Sequence, residues 1–518
     1  TPIKSSAASD VYKRQIILSF YLLFFCSVAF AQEGKMQGRC LFVNDDWIES
    51  TTLTKEFYSV SYYHANPVLK ADCDWELNAT GDPYAAPFSG GVWYDEAEKK
   101  FKMWYSAGGK MKNGLITCYA TSADGKSWTK PSLDIVPGTN IVDTTEHDCI
   151  SILLDKFEPD PQKRYKMFVI AFNSPNSVSM KLKYSADGIH WGETIALSGE
   201  LYDRCAAYYD PFRKKYVLSL KTINGIHRRS RCYLAGENPE LLVSLAHRTF
   251  DKVSDKFIRY WFHADEDDPR HPDFPEISPQ IYNHEAMPYE GIMIGYFSVW
   301  QGPENDECLR LNIQKRNEVL VGWTTNGFDW DRKNKRVFIP VGESADSWNA
   351  GNIQSTCGNP LIVGDSLYFY VSGRYNSRPV HASNFATGLA MLRRDGFASM
   401  KSTKDEGFLL TRPFKVDGEY LFINADIKGK LKVEMLDEFK KPIKGFVTSM
   451  HKVNNTKIKV EWKGGKDMKT LVGRKIHLKF YVSDGDLYSF WISPWETGKS
   501  RGYTSGGGPG LSITGRDI

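Results

Sequence analysis

A hairpin motif recurs along the first two-thirds of the chain and restricts its fold more than any other feature. Ser122-Ala123-Asp124-Gly125-Lys126-Ser127-Trp128 returns as Ser185-Ala186-Asp187-Gly188-Ile189-His190-Trp191. It returns again as Thr324-Thr325-Asn326-Gly327-Phe328-Asp329-Trp330. Asp-Gly or Asn-Gly between apolar runs is a hairpin signal, and the tryptophan brings the chain back to a core. The tryptophans are 63 and 139 residues apart, so the second interval is about twice the first. One degenerate unit therefore falls between Trp191 and Trp330. A second repeat interleaves with this one. Val92–Asp95 leads to Phe101–Tyr105, Ile152–Asp155 to Tyr165–Val169, Ala207–Asp210 to Lys215–Ser219, and Leu361–Asp365 to Leu367–Val371. Each reads as strand, polar turn, strand, with Asp95, Asp155 and Asp210 as turn residues.

Units fall near 85–135, 145–198, 200–262, 282–338 and 350–395. Several strands per unit, at this length, is the size of a propeller blade. The expectation is an all-β chain with a five-bladed β-propeller over residues 40–386. From about Thr387 period-two segments take over: Tyr420–Ala425, Leu431–Leu436, Lys457–Trp462, Ile476–Val482 and Leu487–Ile492. They predict a C-terminal antiparallel β-sandwich over 387–495. Residues 496–518, rich in Gly and Ser, read as a loose tail. Gly506–Gly510 lacks the strand–helix setting of a phosphate loop.

Composition fits this reading. The 14 Trp, 27 Tyr and 29 Phe among 518 residues suit pleated, half-buried surfaces. Lys plus Arg number 66 against 62 Asp plus Glu, a net charge of +4. That balance excludes a nucleic-acid partner held by bulk charge. Near the start, Lys13-Arg14, the apolar run Ile16–Val28 and Ala29-Phe30-Ala31 form a signal peptide within residues 1–31. Residues 1–12 have no place in that logic. The expectation is a secreted or periplasmic protein beginning near Gln32. No later apolar run approaches 18 residues, so no transmembrane segment is expected after signal removal. Eight cysteines would remain, with no C-x-x-C pair, which speaks against a zinc ribbon but allows one or two bridges.

In a propeller the first strand of each unit lines a central funnel. Asp148 and Asp203 each stand seven residues before a turn aspartate, Asp155 and Asp210. Shared register in adjacent units would bring them together near the axis. Glu285 and Glu290 lie in Asn283–Glu290, Asp82 in Thr80–Pro83, and Asp346, Trp348 and Asn349 before the fifth unit. Converging carboxylates suit glycoside hydrolysis: one protonated to donate, one ionised as nucleophile or base. The plainer reading of each is a turn, cap or buried structural acid. Other signatures fail. There is no G-x-S-x-G, and His284-Glu285 lacks the second His of H-E-x-x-H. No cofactor is expected. The acidic stretch His263–His271 reads as a solvated loop, with a calcium site as its alternative. Arg204, His227, Arg228, Arg229 and Arg231 form a basic cluster, read as a surface patch or as recognition of a carboxylate or sulfate on an acidic sugar.

The pattern resembles the five-bladed propeller clan of glycoside hydrolase families 32 and 43, and more closely secreted bacterial proteins of family-32-like type. Phe88–Asp95, Asp203-Arg204, Asn283–Glu290 and Gly388–Phe397 carry the resemblance, which covers about residues 50–495. It implies an acid in each of the first three blades; in order these are Asp82, Asp148 and Asp203. The family-32 Asn-Asp-Pro-Asn motif is absent, and Gly81-Asp82-Pro83 only echoes it. Arg-Asp-Pro is replaced by His147-Asp148-Cys149, and the third unit has no Glu-Cys. The resulting expectation is an exported glycoside hydrolase acting on a carbohydrate. Asp148 and Asp203 are its carboxylate pair, Glu290 the proton donor, and Asp82 and Glu285 further acids. Arg204 and His284 would bind substrate, and Trp348 and Trp300 would stack on sugar rings. A non-catalytic carbohydrate-binding propeller, a glycoside phosphorylase and a protein-binding scaffold are the alternatives.

Overall fold

The computed structural model describes residues 36–89, 91–110, 114–248, 256–344, 346–374 and 384–518. The expected signal segment lies outside them. The repeated turns fold by local chemistry. Ser122 Oγ accepts from Gly125 N at 2.8 Å, and Asp124 Oδ1 accepts from Lys126 N and Ser127 N at 2.8 Å. Ser185 with Asp187, and Thr324 with Asn326, repeat the pattern. Gly125 holds φ +73°, a left-handed conformation that disfavours side chains.

Strands make up nearly all the described secondary structure; the described α-helices are Pro239–Leu245 and Asn305–Leu311. Antiparallel groups follow the sequence units. The first joins Ala85–Ala86, Val92–Asp95, Lys100–Gly108 and Leu115–Ser122. The second joins Ile141–Leu154, Tyr165–Ser174, Ser177–Ser185 and Ala196–Leu201. Ile141–Leu154 pairs along its first half with Leu115–Ser122 and along its second with Tyr165–Ser174, fusing the two groups. The third joins Ala206–Asp210, Lys215–Asn224, Arg228–Gly236 and Arg259–Phe262. The fourth joins Gln280–Glu290, Ile292–Gly302 and Arg316–Thr324. The fifth joins Ile353–Thr356, Leu361–Val363, Ser366–Arg374 and Phe385–Arg393, and is completed by Ser61–Tyr62 from near the start of the described chain.

Neighbouring groups are latched through the repeat itself. Tyr370 of the fifth donates to Gly125 O of the first at 2.6 Å, and Trp104 of the first donates to Gly188 O of the second at 2.6 Å. Asp95 caps its own hairpin through Ala97 N and also accepts from Tyr165 OH of the second group at 2.7 Å. Asp155 accepts from Tyr216 OH of the third group. The turn reading of these aspartates therefore holds, and each turn is also a joint.

A separate nine-stranded sheet contains Tyr420–Asp437, Pro442–Lys459 and Lys475–Ser493 around a core of Phe42, Ile423, Leu431, Phe480 and Phe490. Its boundaries differ from the expected ones. Cys40–Leu41, Ile48–Thr51 and Thr54–Phe57 belong to this sheet, while Phe385–Arg393 belongs to the fifth group. Segment 40–57 offered no repeat by which to assign it, so hydrophobic pattern alone could not say which core it joins.

The last residues are not loose. Tyr503–Thr504 pairs with Tyr289 and Glu290 of the fourth group. Gly506 O accepts from Tyr94 N, and Gly507 O from Ile362 N, each at 2.9 Å. The tail thus ties together the fourth, first and fifth groups. Gly508 passes so close to Ile362 O that a side chain would collide with it. Glycine here signals close backbone approach rather than flexibility. The eight described cysteines are all unbridged. Seven of them are buried, so the bridges allowed by the sequence are replaced by ordinary core packing. Deleting residues 496–518 is expected to lower the thermal midpoint, read by circular dichroism, since it strips bonding partners from three groups at once.

Candidate functional site

The first strands of the second to fifth groups lie beside one another in sequence order. Asp148 lies on Ile141–Leu154, Arg204 just before Ala206–Asp210, and Tyr282 on Gln280–Glu290. Arg374 closes Ser366–Arg374. Asp95, Asp155 and Glu290 lie away from these residues, on the side crossed by the tail.

Arg204 is the hinge of the site. Its φ of +55° turns the chain so that backbone and side chain both face Asp148. Arg204 N donates to Asp148 Oδ2 at 3.3 Å, Nε stands 3.4 Å from the same oxygen, and Nη1 donates to the Asp148 carbonyl at 3.1 Å. The guanidinium lies 4.1 Å from the Phe88 ring centre, and Nε donates to Tyr282 OH at 3.3 Å. Such strain in a non-glycine residue persists only when the surroundings fix it. Arg231, fully buried, supports the Arg204 carbonyl at 2.6 Å and reaches Asn283 Oδ1 at 2.7 Å.

Asp203, immediately before Arg204, is paired with the Lys221 ammonium, yet 41% of its side-chain surface stays exposed. Burial raises its carboxyl, but Lys221 and then Arg204 and Arg229 outweigh this and hold it down to about 2. Asp148 moves the other way. Burial raises it, Arg204 draws it back, and the nearby Asp203 charge adds to the rise, leaving it above the ordinary value. Two neighbouring carboxyl groups are therefore driven toward opposite protonation states.

Asp82 is a buried turn residue. Its N donates to Asn78 Oδ1 at 2.9 Å and its Oδ2 accepts from Thr80 Oγ1 at 2.7 Å, while its charge reaches Arg374. Glu285 lies deeper along the axis. It accepts from Ser89 Oγ at 2.6 Å, Asn283 Nδ2 at 2.7 Å and Thr356 Oγ1 at 3.2 Å. Burial pushes its carboxyl up to about 8 against those bonds, so it is mostly protonated at neutral pH.

Four expected site residues are placed elsewhere. Glu290 sits eight residues beyond Tyr282 on the same strand, about 25 Å away at the usual rise. Its oxygens are held by Arg39 N at 3.1 Å, Ser500 Oγ at 2.7 Å and Arg394 at 3.4 Å, so it cannot serve as proton donor to this site. His284 points away from Glu285 by strand alternation. It is caged by Trp261, Phe262, Phe297 and Trp330, and burial holds it neutral. Trp348 packs onto the backbone of Gly373 and Gly388, and Tyr62 meets it edge-on at 5.4 Å. Trp300 is buried, with the Arg229 guanidinium 4.7 Å from its ring centre. Trp300 therefore offers no free face to a sugar, and Trp348, half-buried, is engaged in packing against those glycines. Within the acidic stretch His263–His271, Asp268 pairs with Arg332 at 2.5 Å and Lys335 at 2.8 Å, and Asp265 pairs with Lys335.

The sequence reading missed Lys221, Tyr282, Lys315 and Arg374. Lys221 left a signal, being a cation inside the strand Lys215–Asn224, otherwise largely apolar and buried. Arg374 and Lys315 border loops and carried none.

No family model matches the chain, and no curated protein matches it. Among solved structures, it is similar to an N-acetylgalactosamine deacetylase from F. plautii, in complex with blood group B trisaccharide, at 11% identity. That match covers 67% of this chain and 96% of the other, with a TM-score of 0.42. It is also similar to a β-1,2-mannobiose phosphorylase from Listeria innocua at 11% identity, covering 65% and 97%, TM-score 0.42. A family 43 arabinoxylan arabinofuranohydrolase from Bacillus subtilis matches at 11% identity, covering 83% and 98%, TM-score 0.32.

Two measurements check this assignment of residues. Glu290→Ala removes the carboxylate shared by Arg39 and Arg394, leaving Asp395 to Arg39 and Asp517 to Arg394, and is expected to cost about 3 kcal/mol in urea unfolding. A carboxyl raised in the folded state adds stability below its unfolded value and loses it as pH climbs through its folded value. Stability should therefore decline between about pH 4.5 and about pH 8 through Glu285, and Glu285→Gln should flatten that slope.

Proposed function

We propose that this chain is an exported glycoside hydrolase, a five-bladed β-propeller followed by a β-sandwich, whose reacting carboxyl groups are Asp148 and Asp203. The observation carrying this reading is the pair itself. Two carboxyl groups from adjacent groups of strands meet across Arg204, one held ionised by Lys221 and the other raised by burial and by its partner. Separated acid and base are what glycosidic cleavage requires.

In this mechanism Asp203 supplies the negative charge, as nucleophile at the anomeric carbon or as base toward water. Asp148 retains its proton and gives it to the departing glycosidic oxygen. Arg204 fixes the Asp148 carboxyl by a side-chain and a backbone contact, while Lys221 holds Asp203 ionised. Tyr282 OH, 3.3 Å from Arg204 Nε, adds a polar contact at the same end of the ring.

The test is sugar release from a panel of polysaccharides and oligosaccharides, read by chromatography. Asp203→Asn and Asp148→Asn are each expected to reduce turnover by about 10²–10⁴-fold. Release that survives in both variants would overturn the assignment. Binding without release by the unaltered chain would favour a carbohydrate-binding propeller. The pH profile gives an independent check. Activity needs Asp203 ionised and Asp148 protonated, so it should be lost on the alkaline side as Asp148 gives up its proton. Lys221→Met should move the acid limb upward from about 2, because it removes the main charge holding Asp203 down.

A further inference from the structure

Two cations stand directly opposite one another in the third group, a pairing that costs a sheet stability. Lys221 and Arg231 are ladder partners on Lys215–Asn224 and Arg228–Gly236, so their side chains leave the same face. Each takes one of two consecutive residues at the site. Lys221 takes the Asp203 carboxylate, and Arg231 takes the Arg204 carbonyl at 2.6 Å.

Arg231 is wholly buried, and burial works against its charge. Its acceptors are carbonyl oxygens. Besides Arg204 O, Nη1 approaches Ser219 O at 3.5 Å, and Nη2 donates to Tyr282 O at 3.0 Å and Asn283 Oδ1 at 2.7 Å. The Asn283 amide is itself fixed, because its Nδ2 donates to Ser89 Oγ at 2.9 Å and Glu285 Oε1 at 2.7 Å. A planar guanidinium reaches several acceptors in set directions, which an ammonium cannot do. The fork thus fastens the backbones of Arg204 and Tyr282, whose side chains meet at 3.3 Å. It also completes a hold on Arg204 from both ends. The Arg204 amide donates to Asp148 Oδ2 at 3.3 Å, its carbonyl accepts from Arg231 at 2.6 Å, and φ between them is +55°. A residue other than glycine keeps that conformation only where its surroundings fix it.

We infer that Arg231 is a positioning residue for the acid of the site: by fixing the Arg204 and Tyr282 carbonyls, it holds the Arg204 amide and guanidinium against Asp148. This rests on the glycosidase reading for its part in catalysis, but the Asp148 carboxyl can be followed without turnover. Lys221 supplies charge to Asp203, and Arg231 supplies geometry to Arg204. Without the fork, Arg204 withdraws from Asp148, whose carboxyl then keeps its proton to higher pH. Asp203 and Lys221 also act on Asp148 and stay in place. The Tyr84 phenol and the Cys149 thiol beside it are pushed up by burial and remain neutral.

The experiment is carbon-13 NMR titration of the full chain labelled at aspartate, with the Asp148 signal assigned through Asp148→Asn. Arg231→Lys keeps the charge and loses the fork; Arg231→Gln loses both. Asp148 is expected to titrate at higher pH in both variants than in the unaltered chain. Guanidinium chloride, far below unfolding concentrations, should return it in Arg231→Gln. In sugar release, both variants should lose about tenfold or more in kcat with little change in KM, as a misplaced group does. The alkaline limb of the pH profile should also move upward, whereas a loss of stability alone scales the profile and leaves the limb in place. Tyr282→Phe keeps both carbonyl contacts and should leave the Asp148 titration near that of the unaltered chain. If Asp148 titrates unchanged in Arg231→Lys, or moves as far in Tyr282→Phe, the inference falls. Should neither Arg231 variant fold, the Tyr282→Phe titration decides alone. Absence of sugar release from the unaltered chain would overturn the hydrolase reading and leave the titration result standing.

Discussion

A buried ion network joins the two sheet systems, and the rest of the architecture depends on it. Arg39 Nη1 contacts Asp395 at 2.8 Å, and its Nε lies 3.5 Å from Glu290. Arg394 reaches Glu290 at 3.4 Å and Asp517 at 3.7 Å. Tyr289 OH and Ser489 Oγ both donate to Asp395 at 2.6 Å, and Arg39 stacks 3.9 Å from the Trp491 ring centre. The N-terminal strand, the fourth group, the nine-stranded sheet and the tail all meet here. Removing charges from water is costly, and these ion pairs and hydrogen bonds offset much of that cost, although Nε of Arg39 and of Arg394 is buried without a hydrogen-bond partner. Its main consequence is placement: four segments distant in sequence are fixed at one point.

The strand Gln280–Glu290 shows how one element serves two purposes. Its start presents Tyr282 to the polar site, its middle places Glu285 on the axis, and its last residue enters the ion network. Alternation sends His284 into the aromatic cage between the third and fourth groups while its neighbours Asn283 and Glu285 face Ser89. Sequence proximity therefore misleads here. Two glutamates five residues apart look like one acidic motif, but a strand separates them by about 17 Å.

Much of the strand architecture was legible because the repeat is local. The Asp-Gly and Asn-Gly turns, the capping aspartates and the period-two segments each encode their own geometry over a few residues. That Asp148 and Asp203 lie near one another was also legible, since both count seven residues from a turn aspartate. What escaped the sequence depends on long-range placement. Nothing local tells Cys40–Leu41 to join Phe490 and Ser489, or tells Gly506–Gly508 to pass between Tyr94 and Ile362. Trp348 and Trp300 misled for a related reason. An aromatic near a site is as useful for filling a gap as for stacking on a ligand, and only the surrounding backbone decides.

The electrostatics of the site follow from where its cations come from. Asp203 is governed by Lys221, which its own group supplies one strand away. Asp148 receives Arg204 from the next group, through a residue that must adopt positive φ to reach it. Lys221 gives the largest pull holding the Asp203 carboxyl ionised, and Arg204 and Arg229 add to it. A carboxyl whose counter-ion is shared with Tyr282 and Phe88 responds to the whole ring. Lys315 and Arg374, from the fourth and fifth groups, stand near the Tyr282 end of the site, and Asp82 from the first group acts on Arg374. The chemistry of the site is thus set by how neighbouring groups of strands meet, because Asp148 and Asp203 come from adjacent groups and the cations around them from several.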